Sequence, residues 1–342
     1  MIGFSWSTSM WHRRNTKRFK HYLDLPIELR MMIVNELPVD DRCRFSRCSK
    51  LSRKEVEISK NYIRELKFNL VDGDMYLHVK FGKVTDNDYG FRFNYIDEIG
   101  RKSMKCVNLR GREIFWITLK NSENMVEFAI RHAKKIMRTY ESQIKRLEIA
   151  INHPNMTSNS IEFGIENLKN LEELVLLNLP DFQQFLKKIR KNLMVLEIVA
   201  QLDDRVVVED EQVRRVQRDL LVPKIAFTKQ QLFKLSAKLI YSHIGSLGVD
   251  DVFDLIKLWQ NGTIDEDFVA YSWCLGTSNF DVTKLFALFG EKYDGETTKS
   301  VNIKHDKDAE IDCKLFLYTR IGPWNQRVLI FVNMDRFREW WR

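Results

Sequence analysis

The chain has 342 residues, 55 of them Lys or Arg and 47 Asp or Glu, for a formal charge of +8. With 44% hydrophobic and 12% aromatic residues but only 14 Gly and 6 Pro, it holds apolar material for more than one packed core, which excludes wholesale disorder. Charges interrupt every apolar stretch before the roughly 18 residues needed to span a bilayer, and acids are mixed among the bases, so the positive balance does not by itself specify nucleic acid.

Residues 1–20 lack acids and carry Arg13, Arg14, Lys17, Arg18 and Lys20; without an apolar run before a small-residue cleavage site they read as a flexible basic tail rather than a signal or transit peptide. The cysteines, Cys43, Cys48, Cys106, Cys274 and Cys313, are odd in number and never form C-x-x-C, which fits a reducing compartment, the cytoplasm or the nucleus.

The first strong pattern occupies residues 21–60. Asp24 is placed to cap a helix and Pro26 to sit in its first turn, where the missing N–H costs no hydrogen bond. Leu25, Leu29, Met32, Ile33 and Leu37 then share one face at helical spacing until Pro38 ends the helix. Asp41 is placed to cap a second helix carrying Cys43, Phe45, Cys48 and Leu51, where the two thiols read as packing residues rather than metal ligands. A third helix holds Val56 and Ile58. Three short helices cannot bury all these side chains internally, so a surface is left for a partner.

The ordered string Leu25-Pro26-x-Glu28-Leu29, Ile33, Leu37-Pro38, Asp41 and Cys48-Ser49-Lys50 resembles the F-box. It departs from the family pattern at Arg30, Met31 and Cys48, and no tryptophan follows Lys50. The resemblance implies docking onto a Skp-type adaptor, and through it a cullin-RING ligase of the SCF type, with Leu25, Pro26, Leu29, Ile33, Leu37 and Pro38 as the adaptor anchors. It implies no cofactor and no catalytic residue.

Beyond residue 60 the pattern alternates. Ile63, Leu66, Phe68 and Leu70 lead through Asp72-Gly73 to Met75, Leu77, Val79 and Phe81, which predicts a tight hairpin. Phe91, Phe93 and Tyr95, then Ile114, Trp116 and Thr118, add strands, and Met125 to Ile136 recur at the spacing of a helix over 123–139, with His132 as a packing residue. Residues 61–140 thus form a small sheet with one helix.

Residues 141–342 show a crude repeat. Leu147, Leu174 and Leu196 open similar strand-like segments at steps of 27 and 22 residues, with helical candidates over 161–168 and 180–191 between them, which predicts an irregular leucine-rich-repeat-like strand and helix stack. The mixed-charge stretch 203–223 reads as a loop or helical insertion. Helices around Leu232 and Leu235 and over 252–259, strands near 239–241 and 268–275, and a closing hairpin of 314–319 with 327–332 around Gly322-Pro323 complete the chain. The aromatic stripe that includes Trp259 reads as core. The order Phe227-Thr228-x-x-Gln231-Leu232-x-x-Leu235, then Leu255-Ile256-Lys257-Leu258-Trp259-Gln260-Asn261-Gly262, resembles the F-box-associated region of the expanded nematode F-box families, which implies binding of an unidentified substrate protein.

The fold class is therefore α+β to α/β, a small helical module followed by the repeat-like domain. No glycine-rich phosphate loop, nucleophile elbow or paired metal motif occurs, and His305, Asp306, Asp308, Glu310, Asp312 and Cys313 read as an acidic surface loop. The basic clusters Lys187, Lys188, Arg190, Lys191 and Arg214, Arg215, Arg218 read as solvated helix faces. Two alternatives stay open: a basic nucleic-acid-binding protein, and an adaptor-binding protein without a ligase role.

Overall fold

The computed structural model describes residues 22–37, 39–46, 48–58, 63–71, 74–81, 90–98, 101–109, 111–141, 143–152, 164–179, 182–199, 211–245, 247–263, 268–276, 278–295, 298–306, 312–320 and 326–341. The chain divides into two compact units, Met1–Asn61 and Tyr62–Arg342. The first holds helices α1 (Ile27–Glu36), α2 (Val39–Ser46) and α3 (Lys50–Ile58).

The second unit is more sheet than helix. Its described residues form one fourteen-stranded sheet. Strands β1 (Ile63–Val71), β2 (Asp74–Phe81), β3 (Gly90–Glu98), β4 (Arg101–Asn108) and β5 (Glu113–Thr118) form an antiparallel meander, followed by helix α4 (Met125–Thr139). Val71 pairs with Asp74, the register a two-residue loop gives, although Asp72 and Gly73 lie outside the described residues. Asn124 starts α4, its side chain accepting from the Val126 and Glu127 amides.

Strand β1 also pairs in parallel with β6 (Arg146–Asn152), so the sheet runs unbroken past residue 140. From there β7 (Glu173–Leu177), β8 (Val195–Val199), β9 (Asp219–Ala226), β10 (Leu239–His243) and β11 (Ala270–Cys274) add in parallel, each beside its predecessor. Connections are short: a 3-10 turn (Ile165–Asn167), α5 (Phe182–Lys188), α6 (Glu211–Arg214), α7 (Lys229–Leu232) and the longer α8 (Val249–Gln260). Leu66, Leu147, Leu174, Leu196, Leu220 and Ile240 stand in register across six strands, all buried. They share one core with Phe128 of α4, Phe185 of α5 and Trp259 of α8, so the helices cover that face.

After α9 (Val282–Leu288) come β12 (Thr298–Lys304), β13 (Asp312–Arg320), β14 (Gln326–Asn333) and α10 (Met334–Trp341). Strands β13 and β14 pair antiparallel as predicted, with Gly322-Pro323 outside the described residues, and β14 inserts beside β11.

Several expectations are corrected. The stretch 203–223 is not purely an insertion: α6 and most of β9 lie within it, and β9 is an interior strand. Pro223 disguised it, since proline cannot donate to a ladder; here pairing with β8 ends at Leu221, and the β10 register shifts beyond Val222, so Pro223 falls in an irregularity. Strand β4 escaped notice because lysines and Ser103 dilute its alternation around Met104 and Cys106. The segment 305–313 is not simply a surface loop: His305 and Cys313 are buried, His305 edge-on to Trp259 at 5.1 Å, while 307–311 lie outside the described residues.

Candidate adaptor-binding site

Among the described residues, the amino-terminal unit is organised by a polar pin rather than by a large apolar core. Glu55 on α3 is only 2% exposed, yet its carboxylate receives the Tyr22 hydroxyl at 2.8 Å and lies 3.2 Å from the Arg30 guanidinium of α1. Burial, the hydrogen bond to Glu55 and its charge push the Tyr22 phenol well above its ordinary range. The Tyr22 ring meets Phe45 of α2 edge-on at 5.2 Å, so this cluster ties all three helices. Among the described residues of this unit, Val34 and Val56 are the buried aliphatic side chains.

Helix starts differ from the expected caps. Pro26 itself is the residue before α1 and its side chain makes no capping hydrogen bond, so Asp24 stands two residues before the cap position rather than at it. Glu28 in the first turn still complements the helix dipole. Asp41 lies inside α2 and bridges Arg44 at 3.0 Å instead of capping. Ser49 caps α3, its Oγ accepting the Ser52 amide at 3.0 Å, which gives the Cys48-Ser49-Lys50 string a structural meaning. Cys48 is exposed rather than packed, its thiol directed to the Arg44 carbonyl; the Cys43 side chain lies outside the described residues.

With the pin on one side of α1, the other side is left bare. Leu29 and Met32, 46% and 63% exposed, share a helical face on the far side from buried Val34, and Ile33 adjoins them half-buried. Ile27, Leu23 and Leu51 are also exposed. Of the predicted anchors, Pro26 and Leu29 are exposed, while Leu25, Ile33 and Leu37 are half-buried; Leu37 closes α1 by donating its N–H to the Ile33 and Val34 carbonyls. Pro38 lies outside the described residues. Sequence spacing passed over Leu23 and Ile27 and set Cys48 and Leu51 on the second helix, whereas α2 ends at Ser46 and Leu51 belongs to α3. The available signal was that α1 is apolar nearly all round, at Ile27, Leu29, Met31, Met32, Ile33 and Val34, which one buried face cannot absorb. Full desolvation of such side chains stabilises a complex by about 1.5–3 kcal/mol each before association costs.

The sheet face opposite the helices carries charge instead. Lys80 meets Glu65 at 3.1 Å, Lys67 pairs with Glu148, and Arg146 meets Glu173 at 2.8 Å, side by side across β2, β1, β6 and β7. Glu197 and Asp219 continue the row on β8 and β9, and burial raises both carboxyls above their usual range. Among the described residues no helix is long and apolar enough to cross a membrane.

Residues 22–64, which hold these three short helices and the exposed apolar face, match the family model of the F-box domain, a domain of the adaptor-binding class. Over the wider chain, an uncharacterized F-box protein of Caenorhabditis elegans is 21% identical across 93% of this chain and 87% of its own length. No solved structure matches.

Proposed function

We propose that the chain is the substrate-recognition subunit of an SCF-type ubiquitin ligase: α1 and its neighbours dock a Skp-type adaptor, and the large unit binds a target protein. The observation that carries this reading is the exposed Leu29 and Met32 face inside the segment that matches the F-box. A solvated apolar face held rigid by a buried Glu55 pin is what a partner desolvates at little ordering cost. The receptor makes and breaks no bond; it raises the effective concentration of a target lysine near the charged enzyme.

The finer reading of residues 141–342 is a repeat-like F-box-associated region of the nematode type. It is supported by Leu147, Leu174 and Leu196 falling opposite one another on adjacent parallel strands, and by the Caenorhabditis elegans relative. The anchor set proposed for docking is Leu25, Pro26, Leu29, Ile33, Leu37 and Pro38, to which Met32 is added. Cys48, Cys106, Cys274 and Cys313 are thiols outside any disulfide, which fits a cytoplasmic or nuclear home.

The test is co-purification of the full chain with a Skp-type adaptor, followed by titration of Leu29→Asp with Met32→Asp. Both sites face water, so the fold should persist by circular dichroism while adaptor affinity falls at least about a hundredfold. Failure of the intact chain to bind the adaptor at micromolar concentration sinks the proposal, as does full retention of binding by the double variant. Adaptor binding that never brings in a cullin refutes the ligase role alone.

A further inference from the structure

Three consecutive connections of the parallel stack are joined side by side. The Gln212 side chain on α6 donates to the Ile189 carbonyl just after α5, and the Ser236 amide after α7 donates to the Arg214 carbonyl at 3.1 Å. Neighbouring strands lie about 4.8 Å apart, so these staples bring the two basic clusters of the sequence onto one edge. Lys187, Arg190, Lys191, Arg214 and Lys234 are exposed there, and none has an ion-pair partner among the described residues. Some cations elsewhere on this unit are matched, Lys145 with Glu172 and Lys284 with Asp250, and Lys229 at the start of α7 pairs with Asp254. Among the described residues, the Glu211 carboxylate of α6 is already engaged by Arg215. Beside Lys234, Phe233 is 45% exposed, an apolar anchor in a cationic surround.

We propose that the edge formed by the α5, α6 and α7 connections docks an Asp- and Glu-rich segment of a partner protein, its carboxylates on Arg190 and Arg214 and an apolar side chain on Phe233. On the receptor reading above, on which this rests, that partner is the target. Charge complementarity selects an acidic ligand, and two features select a peptide over nucleic acid. Single strands are held by stacking on several aromatic rings, whereas Phe233 is the exposed aromatic on these connections among the described residues. Duplex grooves are read by a protruding helix, whereas α5, α6 and α7 have seven, four and four residues.

The experiment uses the full chain and a fluorescein-labelled peptide of Asp and Glu around one central leucine, read by fluorescence polarisation, with poly(U) RNA as competitor. Arg190→Glu with Arg214→Glu should weaken peptide binding at least about tenfold, whereas the equally charged control Lys120→Glu with Lys304→Glu changes it less than about twofold. Phe233→Ser should weaken it about threefold or more, since the central leucine then lacks its anchor. Equal losses in both double variants, or displacement by RNA at lower concentration than by unlabelled peptide, overturn the proposal. Adaptor capture is measured on the same samples. Capture with a peptide insensitive to Arg190 and Arg214 sinks the strip alone, and absent capture with the expected peptide losses sinks the receptor reading alone.

Discussion

Protonation of His132 should dominate one part of the acid sensitivity of the large unit. Its Nδ1 lies 2.8 Å from the Tyr95 hydroxyl, and its ring meets Phe93 edge-on at 4.8 Å, between sheet and α4. Burial first, and the Lys135 charge second, lower the imidazole to about 4. Its unfolded value is near 6.5, so the unfolded chain takes up a proton that the folded chain refuses. The folded pKa is depressed, so the contribution is fully present above about 6.5 and is lost as pH falls toward 4. Between about pH 7 and pH 5 this amounts to roughly 2 kcal/mol for the one group. The assay is urea unfolding of the full chain followed by fluorescence of the buried Trp259 and Trp273, repeated in His132→Phe. The variant strands the Tyr95 hydroxyl and so costs about 1–3 kcal/mol at neutral pH. Its disadvantage should nearly vanish at pH 5, because the wild type has by then lost its own contribution. His78, also lowered to about 4 by burial, and the raised carboxyls of Glu197 and Asp219 titrate alike in both chains and cancel in the comparison. An identical pH slope in the two proteins would refute the assignment.

Two further outcomes follow from the packing. Glu55→Gln leaves Arg30 facing a neutral amide in a site 2% exposed, and should cost the amino-terminal unit about 3–5 kcal/mol, read as early loss of helical circular dichroism and of adaptor binding; a change under 1 kcal/mol would show that the pin is not structural. Leu196→Ala, in the middle of the buried row, should cost about 2–5 kcal/mol in urea unfolding and leave adaptor affinity unchanged, since the row belongs to the other unit; a parallel loss of docking would contradict that independence.

What was legible in the sequence was what repeats locally. The row of Leu147, Leu174 and Leu196 declared itself because an apolar residue recurs at the same point of successive strands, and the hairpin of β1 and β2 because Asp72-Gly73 divides two alternating runs. The helical string from Leu25 to Leu37 was legible for the same reason. What stayed hidden depends on pairing across distance. No spacing rule links Tyr22 to Glu55, 33 residues away, so the pin that decides which side of α1 is bare had no local signature. Likewise nothing in Arg190 or Arg214 alone announces that a glutamine staple will set them on one edge.

The position of β14 bears on the order in which the chain can mature. Although it is the last strand, it lies inside the sheet, hydrogen-bonded to β11 on one side and β13 on the other. A growing chain that has emitted β11 therefore presents an open edge until residues 326–333 leave the ribosome, and β12 and β13 have no route into the sheet before then. A premature stop upstream of Gln326 would remove little of the core's bulk but would leave that edge permanently uncovered, and such a product is expected to aggregate rather than to persist as a shortened receptor.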